Sequence, residues 1–268
     1  MLKAPLLLTR KESLSPGVLD EAERLGAGEA YIMGSEAAVS EDVEEALEEA
    51  GPDVFRLEGD DRYGTSTLIA LAVAELEETG GTGFSKKAFL ARGDNFADGL
   101  AASPLRTGTR CRPSSPARHR FPDAAASAIE LLGIGDVTVP GSTAAVSAAA
   151  EAEVRALGPR PAVRRLGGAG RYATAQRIAG HAFDDPLATK GFIGVATGLN
   201  FPDALAGGVA AGERGGVLVL TAPDAPSGNW AGYLPGAYAG TKPDIQLYGG
   251  SNVLPDNVFN ALKEMLID

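Results

Sequence analysis

The sequence predicts an α/β protein built of tandem parallel-sheet modules, the first of them incomplete. Three observations lead there. Motifs return after about a hundred residues, a spacing well beyond the ~20–50 residues of solenoid repeats. Asn95-Phe96-Ala97-Asp98 comes back as Asn200-Phe201-Pro202-Asp203, and Arg62-Tyr63-Gly64-Thr65 as Arg171-Tyr172-Ala173-Thr174. A copy that long can hold its own core. Short apolar runs alternate with amphipathic stretches, the pattern of parallel strands covered by helices on both faces. The composition, 44% hydrophobic and 22% charged, is that of an ordinary globular chain.

Along the chain, residues 4–8 read as a buried strand. Ser15 and Pro16 open a helix as N-cap and first helical residue, and Gly26 stops it after Leu25. Residues 30–33 form the next strand. Ser40 then caps a helix whose first turn holds Glu41, Asp42 and Glu44, acids that suit the positive end of the helix dipole. A strand over 54–57 leads to a helix over about 65–76, apolar at Leu68, Ile69, Ala72, Val73 and Leu76. A strand over 88–91 and a helix from Phe96 to Ser103 follow. The last copy repeats the order, with strands at 162–166, 191–196, 217–220 and 245–248 and a closing helix over 256–266. The expected modules are 1–52, 53–158 and 159–268. The period is fixed by the sequence pattern, but the phase at which to cut it is open.

Two places are irregular. The first copy lacks its Arg-Tyr and Asn-Phe segments, so the natural start is expected upstream of Met1. In the second copy an arginine- and proline-rich window over 106–120 replaces the aliphatic strand of the other copies, and it cannot make a buried central strand. A local reading-frame slip and a genuine basic loop are both open accounts of it.

The formal charge is −11, which disfavours nucleic acid as a partner because phosphate backbones are held by clustered Lys and Arg. No apolar run approaches the ~20 residues of a membrane span, so no membrane insertion is expected. Residues 1–12 are not expected to act as a secretory signal, since their apolar run is short and Arg10-Lys11-Glu12 follows it. One Cys and two His exclude a disulfide framework and an ordinary zinc site; no metal or cofactor is expected.

The candidate binding residues are those that recur. Arg62 and Arg171 stand just before helices, where a guanidinium can pair with phosphate or carboxylate, or can instead fix the strand–helix turn. Asn95, Asp98, Asn200 and Asp203 open helices at the carboxyl edge of a parallel sheet. Ligands bind along that edge and free amides favour anions there; equally, these side chains can simply cap the helices. Thr9 and Thr221 end aliphatic runs and offer hydroxyls or backbone amides at the strand ends.

Several of these motifs together resemble one known family. Arg-Leu-x-Gly-x-x-Arg-Tyr-x-Thr at 56–65 and 165–174, Ala-Thr-Gly-x-Asn-Phe-x-Asp-Ala-Leu-Ala at 196–206, Pro-Leu-Leu-Leu-Thr at 5–9 and the turn Gly-x-x-Ala-Val-Ser look like the cell-wall-binding repeat type 2 family of Gram-positive surface proteins. The resemblance covers nearly the whole chain outside 106–120. It implies Toprim-like or Rossmann-like parallel-sheet modules and a cell-surface location. It also implies a non-catalytic role: anchoring to an anionic wall polysaccharide or teichoic-acid-like polymer, beside neighbouring repeats or an effector domain outside this sequence. The alternative is a Mg-dependent Toprim-like hydrolase acting on phosphorylated wall or nucleotide substrates. No Asp-x-Asp pair is present to hold its metal, and the acidic pair Asp60-Asp61 becomes Ala169-Gly170 in the later copy. His181, the histidine outside the irregular window, is expected on a helix surface.

Overall fold

The computed structural model describes residues 4–81, 83–105, 109–111, 123–185, 187–226 and 230–266. Its strands form three parallel sheets, and the α/β class is as the sequence predicts. The first sheet pairs β1 (Glu29–Met33) with β2 (Asp53–Leu57). The second has the order β4 (Thr109–Cys111), β3 (Lys87–Leu90), β5 (Asp136–Pro140), β6 (Ala162–Leu166). The third has the order β8 (Val217–Thr221), β7 (Phe192–Thr197), β9 (Asp244–Tyr248). The helices are α1 (Val18–Leu25), α2 (Glu41–Glu49), α3 (Arg62–Thr79), α4 (Ala97–Ala101), α5 (Asp123–Leu131), α6 (Ala148–Ala156), α7 (Arg171–Asp184), α8 (Pro202–Glu213), α9 (Trp230–Ala237) and α10 (Asp256–Glu264).

The sheets and the sequence copies are out of phase. Each Arg-Leu strand joins the sheet of the copy before it: β2 pairs in register with β1, and β6 with β5, Val139 opposite Arg165. One seam therefore lies inside each of the first two sheets.

The expected strand over 4–8 does not form; residues 4–10 have no regular structure. Its counterpart β8 earns its place by pairing along its whole length with β7. Among the described residues no such neighbour stands beside Pro5–Thr9, and a run of apolar residues is not a strand without a ladder. In the irregular window, residues 109–111 form a three-residue strand at the edge of the second sheet beside β3, the place β8 takes beside β7. The rest of that window, with His119, lies outside the described residues.

Helix boundaries shift for local reasons. α1 starts after Gly17, whose φ of 81° breaks the chain direction two residues beyond Ser15; its end at Gly26 is as expected. Ser40 occupies the N-cap of α2 but its side chain makes no cap bond. α3 starts three residues earlier than its apolar pattern, because the Asp61 carboxylate accepts from the amides of Tyr63 and Gly64 at 2.8 and 2.9 Å.

Two cores result. One packs α3, α5 and α6 against the second sheet through Ala74, Leu90, Ile129, Val137 and Val154. The other lies around the third sheet and takes in α4 of the preceding copy with Leu100 and Leu105. Here α4 packs on α7, α8 and β8. The fit depends on α8 glycines: a Cβ on Gly208 would overlap the Ser103 hydroxyl, and one on Gly212 would lie 2.6 Å from the Pro104 carbonyl oxygen. β7 and β8 are buried throughout, which is why they read as continuous apolar runs.

Candidate binding surface at the strand ends

The repeated cations divide into two kinds. Arg56 and Arg165, on β2 and β6, reach back across the seam. Arg165 Nε and Nη2 donate to Glu151 at 2.9 and 2.6 Å, and Nη1 donates to the carbonyls of Gly141 and Ser142 at 3.1 and 3.0 Å. Arg56 repeats this with Glu44 and the carbonyls of Gly34 and Val39. Each guanidinium straps the turn that follows β1 or β5 to the next helix. Gly34 and Gly141 hold φ of 115° and 96° in those turns, a region where a side chain would be strained.

Arg62 and Arg171 grip loops at the carboxyl edge within their own copy. Arg62 Nη1 donates to Gly93 O at 2.9 Å, and Arg171 Nη1 donates to Gly198 O. The adjacent tyrosines press on the same glycines; a Cβ on Gly93 or Gly198 would overlap Tyr63 or Tyr172. Arginine and tyrosine thus shape the loop that carries Asn95 or Asn200.

Both asparagines are exposed. Asn95 Oδ1 accepts from Ala97 N at 3.2 Å and Asn200 Oδ1 from Phe201 N at 2.9 Å, so each side chain braces the start of its helix. Asp98 and Asp203 sit against the turns after β5 and β9, beside Gly141 and Gly249. Asp98 also bonds the Thr174 side chain of the following copy. Burial pushes its carboxyl up from the ordinary 3.8, and Arg92, Arg171 and that bond pull the other way. Thr221 is fully buried, and its hydroxyl donates to Ala225 O at 3.0 Å. Thr9 donates likewise to Ser13 O at 3.1 Å and accepts from Ser15 N at 3.0 Å. These hydroxyls cap loops.

Arg171, Asn200, Asp203 and Thr221 therefore share the carboxyl edge of the third sheet, with Asp98 reaching it from the second. Arg62 and Asn95 build the equivalent corner one copy earlier, and Thr9 stands apart from any sheet. Sequence reasoning missed the aromatic residues between the copies. Phe96 and Phe201 meet with ring centroids 5.8 Å apart, and the Arg171 guanidinium lies 5.9 Å from the Phe96 ring. Both phenylalanines belong to the repeated Asn-Phe motif, and that recurrence was the available signal.

His181 is not on the surface. It is buried, with Arg164 Nη1 donating to Nδ1 at 2.9 Å, which places the imidazole proton on Nε2 facing Asp185 Oδ2 at 3.9 Å. Lys87 of the second sheet pairs with Asp185 at 2.8 Å, so the cluster ties α7 beneath the seam. It lines a cavity of about 160 Å³ at the amino ends of β3, β5 and β6, the opposite end from the repeated motifs. Burial first, then Arg164, lowers the histidine's pKa from 6.5, while Asp185 and Asp184 oppose and Lys87 assists. A lowered folded pKa means that the unfolded chain binds more protons in mild acid. The stability His181 contributes is intact above pH 6.5 and is lost as pH falls through the lowered value. Melting temperature is expected to decline on going from neutral pH into that window, and His181→Leu to flatten the decline. An unchanged slope in the variant would assign it elsewhere.

Among the described residues, no three His, Cys, Asp or Glu side chains come together to hold a metal ion, and no helix is long and apolar enough to cross a membrane. The metal-dependent hydrolase reading gains no support.

Comparison with known proteins places this arrangement. The family model for cell wall binding domain 2 (CWB2) matches residues 56–151 and 165–259. The N-acetylmuramoyl-L-alanine amidase LytC of Bacillus subtilis (strain 168) is 26% identical over 218 residues, covering 81% of this chain and 40% of that protein. Cwp6 from Clostridium difficile superposes with a TM-score of 0.83 at 18% identity, over 99% of this chain and 40% of its own. Cwp8 from Clostridium difficile gives 0.79 at 23% identity, over 98% and 43%. The chain thus spans less than half the length of these relatives. With two matched regions carrying the same strand-end loops, it belongs to the cell wall binding domain 2 family and is a tandem cell-wall-binding module.

Proposed function

We propose that this chain is the non-catalytic anchor of a longer bacterial surface protein, holding it to an anionic wall polysaccharide or teichoic-acid-like polymer. The observation that carries the reading is the duplicated corner. Arg62 with Gly93, Tyr63 and Asn95, and Arg171 with Gly198, Tyr172 and Asn200, build one loop twice at the carboxyl edge. In this reading the modules 1–52, 53–158 and 159–268 present successive sites, and the polymer runs along the edge past Arg62, Asn95, Asp98, Arg171, Asn200 and Asp203. Thr9 and Thr221 act through the loops they cap. Weak contacts repeated along a polymer multiply into avidity. In an acidic chain, preorganised guanidinium and amide donors supply the local attraction. The amidase activity named for LytC belongs to that protein and has no counterpart in this proposal.

The test is co-sedimentation with purified cell walls over a range of salt. Arg171→Ala also loses the bond to the Gly198 carbonyl, worth about 1.5–3 kcal/mol for a charged donor, so its melting temperature is expected to fall. Binding is therefore compared at a temperature where both proteins are fully folded. There the variant is expected to bind several-fold more weakly, with a flatter salt dependence. Equal binding by the folded variant would leave Arg171 as a loop strut alone.

A further inference from the structure

The second sheet and the core of the third are joined at both ends of α7, by different chemistry at each. At the carboxyl edge the chain itself runs from β6 into α7, and α4 packs on α7. There Arg171 covers the Phe96 ring and Asp98 bonds the Thr174 side chain. At the amino end the link is a polar cluster. The register of the second sheet lays Phe89, Thr138 and Arg164 side by side, with Lys87, Asp136 and Ala162 in the row before them. The C-terminal end of α7 brings His181 and Asp185 over those rows. Arg164 Nη1 donates to His181 Nδ1 at 2.9 Å, and Lys87 pairs with Asp185 at 2.8 Å. The cavity of about 160 Å³ lies among these groups.

The Arg164 bond works only with a neutral imidazole. Nδ1 accepts through its lone pair, and protonation replaces that lone pair with an N–H. Two donors and two positive charges then face each other where a hydrogen bond had been. The surrounding groups do not offset this. Lys87 on β3 is a further cation, and Asp136 on β5 and Asp184 on α7 are exposed to water. Asp185 is already held by Lys87, which keeps its carboxyl below the usual 3.8. Tyr233 of α9, packed over Gly180, is pushed up to about 12 by burial and stays neutral in acid. β8 brings no titratable side chain, and Asp98 of α4 is engaged at the far end of α7. The cavity gives water a route to the ring, so the charged imidazole can be hydrated by parting α7 from the sheet without dismantling either core. The earlier repeat has nothing equivalent. Where Arg164, His181 and Asp185 stand, β2 and α3 carry Phe55, Ala72 and Leu76, none of which titrates.

We propose that Arg164, His181, Asp185 and Lys87 form an acid-released clasp: protonation of His181 frees the C-terminal end of α7 from the second sheet, and the sheet and the third core pivot about their carboxyl-edge contacts. The pivot is a hinge motion between two packed bodies. Its consequence for binding rests on the anchoring reading above: the spacing of the Arg62 and Arg171 corners changes, and with it the multivalent grip on a polymer.

Distances between two spin labels test the clasp, read by double electron–electron resonance from neutral pH into mild acid. The labels go on Leu131→Cys, at the 72% exposed end of α5, and on Lys242→Cys, in the exposed loop before β9, with Cys111→Ser removing the native thiol. A narrow distribution at neutral pH is expected to move to longer, broader distances in acid. Far-UV circular dichroism and the fluorescence of Trp230, buried in the third core, are expected to stay native over that range. His181→Asn offers Oδ1 in place of Nδ1 as an acceptor and does not titrate, so it should keep the narrow distribution. Distances that stay narrow until the dichroism signal is lost overturn the proposal, as does a His181→Asn chain that opens like wild type. Should His181→Asn fail to fold, a nitrogen NMR titration of the wild-type His181 ring replaces it: the opening midpoint must match that of the imidazole, and a mismatch overturns the clasp. The measurement uses no wall polymer, so its failure is distinct from a failure of the anchoring reading, which co-sedimentation decides.

Discussion

Arg165→Ala is expected to lower the stability of the folded chain by about 2–3 kcal/mol, somewhat below the ~3–5 kcal/mol for breaking a fully buried pair. The Arg165 and Glu151 side chains are 19% and 18% exposed, so the pair is only partly screened. Removing the guanidinium leaves the Gly141 and Ser142 carbonyls without that donor and leaves Glu151 to Arg155 alone. At about 2–4 °C per kcal/mol for a chain of this size, the melting temperature should drop by roughly 4–12 °C. Arg165→Lys should recover little, since a single ammonium cannot span two carbonyls and a carboxylate. A pH series gives a second readout. Burial raises the Glu151 pKa, but bonds from Arg155 and Arg165 outweigh it and leave it below 4.5. Its contribution is therefore present above pH 4.5 and lost as pH falls through the lowered value. In Arg165→Ala that acid-side loss should shrink. A melting temperature within a degree of wild type would show that the seam does not depend on this strap.

Trp230→Ala should cost more, about 3–5 kcal/mol, the range for truncating a fully buried large aromatic. Trp230 is 1% exposed, sits edge-on to Tyr233 and donates from Nε1 to Leu220 O at 3.2 Å. It presses α9 onto β8 one residue before Thr221. Trp230→Phe keeps most of the apolar contact but leaves the Leu220 carbonyl without its donor, a loss of about 1–3 kcal/mol. The two variants together separate packing from hydrogen bonding, read by circular dichroism because the only tryptophan is the residue replaced. Equal losses in both would mean that the hydrogen bond carries the effect. Wall binding at full folding is expected to weaken in Trp230→Ala, since the loop closed by Thr221 rests on the strand it pins.

The repeat spacing and the alternation of apolar runs made the class and most elements legible, because both are properties of neighbouring residues. Strand partnership is not. Residues 4–8 match β8 in composition yet lie outside any sheet, because pairing depends on a neighbour distant in sequence. The phase of the copies was hidden for the same reason: nothing local in Ala162–Leu166 says that β6 will pair with β5. His181 was misjudged although the signal existed. It shares a face with Ile178 and Ala182 at helical spacing, and that face is buried. Arg62 and Arg171 stood out by recurrence, but recurrence does not distinguish a loop strut from a ligand contact. The bonds to the Gly93 and Gly198 carbonyls show that each guanidinium braces a loop, and wall binding by folded Arg171→Ala tests whether it also holds a ligand.

The exchange of the Arg-Leu strand between copies bears on how such a chain can lengthen or shorten over evolution. A recombination event that adds or removes one full period, wherever its breakpoints fall, still leaves each internal last strand followed by an incoming Arg-Leu strand. Every internal junction is thereby regenerated whole, and a new copy arrives already stitched to both neighbours. Gene segments cut to express one copy alone behave oppositely. A boundary at 158/159 strips β6 from β5 and leaves a raw parallel edge on the second sheet, so a fragment intended for isolation should run through Leu166.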